Sequence, residues 1–551
     1  MAASFARNRL RVSRLALPVV LAAALTAADA LKPPVIDDTA YLALARQMAR
    51  DPLDPYGFEQ FWYSEPEPAN HVLAPPVLPY WLSIGIRLFG EQPVLLKLWL
   101  FPVALLFTIS LQSLLRRFAR PAAEPMLVLA VFSPAVLPGF NFMIDLPSLT
   151  LSLASMAVYF RALAYRSWRL AILAGLIAGL AMETKYIGFL TPPLLLVAGL
   201  LRRRLAPGLI AAAMAMLVFA AWESFMSWKY GESHFLFHLN ENPFKWEEKR
   251  DLTPWLITLL GALAPGIAIA AMARWRIAAI ASTLILCLLH AKLSWLATRL
   301  DQRLARFDLG LFGLGLTEIY FALGLATILG LGAALIHQSV WNSRWLCRSR
   351  RTWFLLIWVA AEVAGYFAMS PFPASRRILG LTIALTLLAA RVMASSRRQR
   401  RDRLWFAIWP GVALGIYFAL VDTIDSRLEP ALAKRAAEFI RERDRSPRIW
   451  FVGHWGFQFE AERQGMRPLA PGRSLLRRGD WLVWPDASLN QQDFKPDSRM
   501  GPPVQTIEIG IALKRSTRPD YYGGPWPMVV KDQLRLTATV YRIQDTWSPQ
   551  P

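Results

Sequence analysis

The chain has 551 residues, 55% of them hydrophobic, and a mean hydropathy of +0.32. Apolar runs about long enough to cross a bilayer follow one another along it, which excludes a soluble protein and describes a polytopic membrane one. Its 61 Lys and Arg against 39 Asp and Glu give a net charge of +22, yet the arginines fall in short clusters on alternate connections, the positive-inside pattern rather than a nucleic-acid-binding stripe.

A basic flank, Arg7, Arg9, Arg11 and Arg14, precedes an apolar run from Leu15 to Ala30. Ala28-Asp29-Ala30 weakly resembles a signal-peptide cleavage site. The reading adopted is an uncleaved first span at about 14–32, because the orientation it sets agrees with everything downstream. With the N-terminus cytoplasmic, Asp37 and Asp38 emerge on the outer side in the run Ile36-Asp37-Asp38-Thr39-Ala40-Tyr41. Charge is costly near hydrocarbon, so an acidic pair at a membrane mouth is a functional-site hypothesis; the alternative is the start of a solvated loop. The loop runs to about residue 92. It holds a predicted surface-lying helix with Tyr41, Leu44, Ala45 and Met48 as its apolar face. A proline-rich, aromatic stretch follows, Leu73-Ala74-Pro75-Pro76-Val77-Leu78-Pro79-Tyr80-Trp81.

The second span, near 93–115, returns to Arg116, Arg117 and Arg120. The third ends outside at Pro138-Gly139-Phe140-Asn141-Phe142-Met143-Ile144-Asp145, and the fourth reaches Arg161, Arg166 and Arg169. The fifth and sixth are short and flank Met182-Glu183-Thr184-Lys185-Tyr186 outside, before Arg202, Arg203 and Arg204 inside. The seventh leads to an outer loop, about 226–253, with His234, His238, Asn240, Glu241 and Lys245. The eighth returns to Arg274 and Arg276, and the ninth leads to an amphipathic segment near 292–308. The tenth comes back to Arg344, Arg348, Arg350 and Arg351. The eleventh ends outside at Ser370-Pro371-Phe372-Pro373-Ala374-Ser375-Arg376-Arg377, the twelfth inside at Arg397-Arg398-Gln399-Arg400-Arg401, and the thirteenth spans about 404–421. Three cationic sites break the positive-inside rule: Lys185, Arg299–Arg306 and Arg376–Arg377. Binding an anion at the outer surface is one reason for a cation to be there; incidental placement is the other.

From about residue 430 the character turns soluble, with a helix-like stretch from Ala431 to Arg443 and an apolar β-like run, Arg448-Ile449-Trp450-Phe451-Val452-Gly453. Strand-like segments follow near 480–484, 504–510 and 535–543. The expected fold is therefore a polytopic α-helical membrane protein, about thirteen spans within residues 1–425, with a small α/β soluble domain at 426–551 on the outer face.

Four outer features can converge on one cavity: Asp37–Asp38, Asp145, Lys185 and Arg376–Arg377. Carboxylates supply a general base and a hydrogen-bond acceptor, and Lys and Arg neutralise a phosphate leaving group. That set suits transfer of a group from a lipid-linked phosphate to an acceptor hydroxyl or amine.

These residues resemble a known family. Asp-Asp-x-x-Tyr at 37–41 and Pro-Pro-x-x-x-Tyr-Trp at 75–81 are similar to the GT-C glycosyltransferases, in the family 39-like branch that includes the protein O-mannosyltransferases and the aminoarabinose transferase of lipid A. Gly179-Leu180-Ala181-Met182-Glu183-Thr184-Lys185-Tyr186 resembles that family's Gly-Leu…Thr-Lys segment, and Ser375-Arg376-Arg377-Ile378-Leu379 its late Arg-Tyr-Leu-type segment. Gly453-His454-Trp455-Gly456 resembles a run of some bacterial members with an outer soluble domain. The resemblance implies inverting transfer from a polyprenyl-phosphate sugar, with Asp37, Asp38 and Asp145 at the family's acidic positions. By their chemistry Lys185, Arg376 and Arg377 are the candidates for the donor phosphate, and His71, Tyr80 and Trp81 for substrate binding. The sequence departs from the pattern at Leu73-Ala74, where the aminoarabinose branch has Glu-Lys, and at Arg377, where tyrosine is usual. His71 is a replacement for the lost cation, unless Lys185 and Arg376 alone hold the phosphate.

No Asp-x-Asp motif lies in the outer loops, and no metal or other cofactor is implied. The two cysteines, Cys287 and Cys347, stand on no metal-ligand spacing. His234 and His238, four residues apart, lack a clear third ligand. Trp450, Trp455 and Trp481 read as core residues of the outer domain and His454 as structural, while most other aromatics are interfacial anchors. The expected function is a glycosyltransferase of a bacterial-type inner membrane. Its expected partners are a polyprenyl-phosphate sugar, membrane lipids and a lipid, glycan or protein acceptor. The rivals are a transporter of lipid-linked glycan, which would carry charges within spans and show repeated halves, and a non-catalytic envelope assembly protein, which would tolerate loss of the three aspartates.

Overall fold

The computed structural model describes residues 2–62, 65–72, 74–241, 249, 252–264, 316–341, 349–395, 401–486, 498–518, 520–524, 526–531 and 533–549. Among these, seven helical stretches are long and apolar enough to cross a membrane: Pro93–Val131, Asp145–Tyr165, Leu205–Tyr230, Ile319–Ser339, Arg350–Met369, Ser375–Ala394 and Leu404–Arg441. The shorter apolar helices Leu15–Ala30, Val77–Phe89, Trp168–Met182, Tyr186–Leu201 and Leu252–Leu263 accompany them. The protein is a polytopic α-helical membrane protein. The expected ninth span, the 292–308 segment with Arg299–Arg306, Lys245, both cysteines and most of the Arg397–Arg401 run lie outside the described residues.

In chain order the elements begin with α1 (Ala2–Ala30), α2 (Asp38–Arg50), a small hairpin of β1 (Glu59–Phe61) and β2 (Pro66–Pro68), and α3 (Val77–Phe89). The predicted apolar face of α2 is buried, Tyr41, Leu44, Ala45 and Met48 included. It is covered by α3 and by the C-terminal region, rather than lying on a membrane surface. Next come α4 (Pro93–Leu98), α5 (Phe101–Ala119) and α6 (Ala123–Val131). Ser133-Pro134 ends α6, since proline cannot continue a helix, and residues 132–144 run on as buried irregular chain. The carbonyls this frees still need donors. Tyr521 Oη supplies them to Pro134 O and Ala135 O at 3.1 and 2.8 Å.

Helices α7 (Asp145–Tyr165), α8 (Trp168–Met182), α9 (Thr191–Leu201) and α10 (Leu205–Tyr230) pack together, α8 between α7 and α10. Gly175 and Gly179, four apart on α8, let it approach α10 closely: a Cβ at Gly175 would stand 2.3 Å from Ala211 O, and one at Gly179 2.5 Å from Val218 Cβ. The chain continues through α11 (His234–Glu241), α12 (Leu252–Leu263), α13 (Leu316–Trp341), α14 (Arg350–Met369), α15 (Leu379–Ser395) and α16 (Arg401–Ser426).

The C-terminal region opens with α17 (Leu428–Arg441), β3 (Ile449–Phe451), α18 (Trp455–Arg463), β4 (Arg467–Pro468) and β5 (Trp481–Pro485). It ends with β6 (Pro503–Ile511), β7 (Arg515–Ser516), α19 (Asp520–Gly523), β8 (Val529–Val530) and β9 (Leu534–Arg542). A five-stranded sheet has the order β4-β3-β5-β9-β6, parallel at β4-β3-β5 and antiparallel at β5-β9-β6. Strand alternation divides its faces. Ile449 and Phe451 join Leu432, Ala436 and Ile440 of α17 in one core, and Trp450 joins Leu482, Leu476 and Trp547 in another.

This region is tied back into the membrane part by buried charge. Lys32 Nζ donates to Asp422 Oδ2 at 3.0 Å, Pro138 O at 2.8 Å and Tyr522 Oη at 3.1 Å. Arg518 pairs with Asp425 at 2.9 Å and with Glu429. Within the membrane part itself, Lys97 of α4 pairs with Asp29 of α1 at 2.7 Å.

Candidate active site

A cavity of about 920 Å3 opens between the segment joining α1 to α3, the turns that start α7 and α15, and the C-terminal region. Asp37, Asp145, Lys185, Arg376 and Arg377 all line it, so most of the predicted constellation meets in one place. Its walls also hold Tyr41, Trp62, Glu67, His71 and Trp455, and it runs down between α7, α9 and α14 along Leu149, Met156, Leu190, Leu194 and Trp358. From Asp145 to Met156 is eleven residues of helix, so the apolar part descends about 16 Å.

Around Asp37 and Asp145 the charges form two ion pairs, with Arg377 beside them; Glu67, Glu241, Lys249 and Glu362 also line the cavity. Asp37 accepts from Arg376 Nη1, and Asp145 accepts from Lys185 Nζ. Asp145 is the first residue of α7, where a carboxylate is favoured by the helix dipole, and its second oxygen is buried without a hydrogen-bond partner. Arg377 lies over the Phe372 ring at 5.0 Å. Its Nε is buried without a partner, and it makes no ion pair among the described residues. Lys185 is held in extended backbone after α8 by Gly188 N donating to its carbonyl at 2.8 Å. Burial holds the Lys185 ammonium down to about 8, Asp145 opposing and Arg377 and Arg376 adding to the shift.

Asp38 is not part of this chamber. Ile36 has φ +46°, an outlier for a β-branched residue, and the chain there sends adjacent carboxylates to different surroundings. Asp38 is wholly buried, accepts from Val35 N at 3.0 Å and leaves its other oxygen without a partner. Burial raises its carboxyl to about 7, with the cations Lys97 and Lys32 opposing. Tyr80 and Trp81, expected to bind substrate, also do not line the cavity. Pro75-Pro76 starts α3 at Val77, which turns both rings away: Tyr80 Oη donates to Pro52 O at 2.6 Å, and Trp81 stacks on Trp99 at 4.8 Å. His71 does line it, but its Nε2 meets Glu232 at 2.8 Å and its ring stacks on Phe237 at 4.0 Å.

Other residues of the site had no sequence signal or a misleading one. Trp455, expected in the outer domain's core, is half-buried and lines the cavity. The close approach behind this is at Gly456, where a Cβ would meet Glu429 Oε2 at 2.5 Å and Pro34 O at 3.0 Å. Lys249, whose Nζ donates to Ser370 O at 2.6 Å, also lines the cavity. It sits in the run Glu247-Glu248-Lys249-Arg250, which reads as solvated charge. His234 and His238 face each other at 4.6 Å. His234 is engaged by Tyr186 Oη at 2.5 Å and Val72 O at 3.3 Å, and burial holds its imidazole down to about 3. No group of three metal-ligating side chains occurs among the described residues.

The sequence profile of the dolichyl-phosphate-mannose-protein mannosyltransferase family matches residues 73–228. Among solved structures, the chain is similar to the Archaeoglobus fulgidus oligosaccharyltransferase in complex with Zn and sulfate, at 13% identity and a TM-score of 0.43 over 83% of this chain and 62% of that one. The chain thus spans less than two thirds of that protein's length. It is also similar to ArnT from Cupriavidus metallidurans bound to undecaprenyl phosphate, at 14% identity and a TM-score of 0.40 over 96% and 98% of the two chains. The apo state of that ArnT gives 15% identity and a TM-score of 0.40 over 97% and 98%. No curated protein sequence matches the chain. The family match takes in Asp145 and Lys185, and the resemblance carried by the Pro-Pro-x-x-x-Tyr-Trp and Thr-Lys segments is borne out over 73–228: there this membrane protein is similar to the dolichyl-phosphate-mannose-protein mannosyltransferases.

Proposed function

We propose that the protein is a membrane glycosyltransferase that moves a sugar from a polyprenyl-phosphate donor to an acceptor hydroxyl or amine. The observation that carries this reading is the composition of one cavity. Its polar end holds the Asp37–Arg376 and Asp145–Lys185 pairs and Arg377, which makes no ion pair among the described residues, and its other end is a mainly apolar groove in the membrane part. A phosphate joined to a long hydrocarbon chain has that same division. The family match over 73–228, whose description names a dolichyl-phosphate-linked sugar, supports the donor class.

In this reading the isoprenoid lies along α7 and α9, and the phosphate rests on Lys185 and Arg377, with Arg376 beside them. Asp37 shares the cavity with Trp62, His71 and Trp455, where a polar acceptor enters. It accepts the acceptor's proton as the acceptor atom bonds to the anomeric carbon. The bond from that carbon to the phosphate oxygen breaks, and the electron pair remains on the phosphate, where the cations stabilise it. Attack from the face opposite the phosphate inverts the anomeric centre. Asp145 holds Lys185 in place rather than meeting the acceptor. The arginine-rich ends of α5, α7 and α9 lie away from this cavity, so the positive-inside rule makes the site extracytoplasmic, in a bacterial-type inner membrane.

The test is release of polyprenyl phosphate by purified protein from a panel of radiolabelled polyprenyl-phosphate hexoses and pentoses. Wild type should turn over at least one donor, and Asp37→Asn and Asp145→Asn should lose that activity while remaining folded. A protein that turns over no donor, and whose variants still support the native phenotype, would instead be a transporter or an assembly factor.

A further inference from the structure

Helix α7 carries Asp145 at one end and, about 22–29 Å along it, Phe160, Leu163 and Ala164 at the other. There the ends of α5, α7, α9, α14 and α15 enclose a second cavity of about 640 Å3. Its charged lining is six arginines, Arg117, Arg202, Arg204, Arg350, Arg351 and Arg391, and no carboxylate lines it among the described residues. The positive-inside rule accounts for arginines at this end of the bundle. It does not account for their lining one concave space, where like charges repel. Two have structural work: Arg204 donates to Leu163 O at 3.1 Å, and Arg391 to Phe118 O and Ser349 Oγ, both at 3.3 Å. The others have no such explanation. Arg117 stacks on Phe160 at 4.4 Å with its Nε buried and without a hydrogen bond. The side chains of Arg202, Arg350 and Arg351 make no hydrogen bond or ion pair among the described residues.

Depth narrows the ligand. Tyr165 and Trp168, at the same end of α7 and α8, are 76% and 52% exposed, as aromatic residues are at the headgroup level of a bilayer. Leu200 and Leu205, on either side of the Arg202–Arg204 turn, are exposed as well. A cluster of guanidinium groups at that depth, backed by Phe118, Phe160 and Phe354, suits a phosphate: arginine forks grip its oxygens two at a time. We propose that this cavity is a second phosphate-binding site, distinct from the candidate active site. Arg117, Arg202 and Arg351 are its donors, and its ligand is a phosphate-bearing anion at the basic face of the membrane.

The experiment uses the full chain in nanodiscs of phosphatidylcholine with or without phosphatidylglycerol, reading retained lipid by native mass spectrometry. In a parallel arm, glycerol 3-phosphate is titrated as a soluble competitor. Wild type should retain phosphatidylglycerol over phosphatidylcholine, and R202Q/R351Q should lower that retention roughly ten- to thirtyfold. R161Q/R169Q removes the same charge from exposed positions outside the cavity and should change it little. Should R202Q/R351Q not elute as a single species, R350Q/R351Q, both exposed at the rim, carries the test. Displacement of the lipid by glycerol 3-phosphate supports the site and assigns it to soluble phosphates; resistance to displacement supports it and assigns it to lipid headgroups. Equal losses in the cavity and control variants, or no preference for phosphatidylglycerol in wild type, would overturn the proposal and leave only diffuse basic charge.

Discussion

The adjacent residues Asp37 and Asp38 should respond in opposite ways to the same substitution. Asp37→Asn removes the proposed base and leaves Arg376 without its carboxylate. A positioned general base contributes about 10²- to 10⁴-fold, roughly 3–5 kcal/mol of barrier, so turnover should fall by that factor. Asp38→Asn keeps an oxygen to accept from Val35 N and should retain most activity. Its effect belongs to stability. A carboxyl raised from 3.8 to about 7 costs the folded state on the order of 4 kcal/mol once both folded and unfolded forms are ionised. The folded protein holds that proton more tightly than the unfolded chain, so this contribution favours folding below pH 4 and is lost as pH rises to 7. Asp38→Asn should flatten the pH dependence of Tm between pH 4 and 7. Donor turnover and thermal unfolding, measured on both variants across that range, provide the assay. Loss of turnover in folded Asp38→Asn with near-normal turnover in Asp37→Asn would refute the division of roles.

Lys185 is charged below about pH 8. The KM for the polyprenyl-phosphate donor should therefore be flat from pH 6 to 7.5 and rise above 8, whereas Lys185→Arg, which stays charged, should keep it flat to pH 9. Gly188→Ala would place a Cβ 2.5 Å from Ala181 O, against the turn that carries Lys185; donor KM should rise with little change in expression. Arg518→Met leaves Asp425 and Glu429 buried without their cation, a loss of roughly 3–5 kcal/mol. Limited proteolysis should then release the C-terminal region at temperatures where wild type is intact.

The membrane class was legible because hydrocarbon imposes its own arithmetic of length and apolarity on every span. Lys185 and Arg376 were legible because each breaks the charge asymmetry of the loops, and the structure brings both to one chamber with Asp37 and Asp145. Asp38 was not separable from Asp37, since what divides them is one left-handed residue, Ile36, whose φ no side-chain pattern announces. Tyr80 and Trp81 share a motif with nearby site residues, but their direction is set by where Pro75-Pro76 starts α3. Lys249 and Trp455 reach the cavity only through long-range packing, so neither local charge nor local hydrophobicity distinguishes them.

The seams between the C-terminal region and the membrane part also govern the order in which the protein can be completed. Gly523 and Gly524 contribute to the cavity wall, Tyr521 donates to the irregular chain after α6, and Tyr522 accepts from Lys32 beside α1. All four residues leave the ribosome after the membrane-spanning helices of the described residues have been made. Until then the carbonyls of Pro134 and Ala135 wait for their donors and Lys32 for one of its partners. A chain that stops short of residue 521 therefore leaves these carbonyls and Lys32 without those partners.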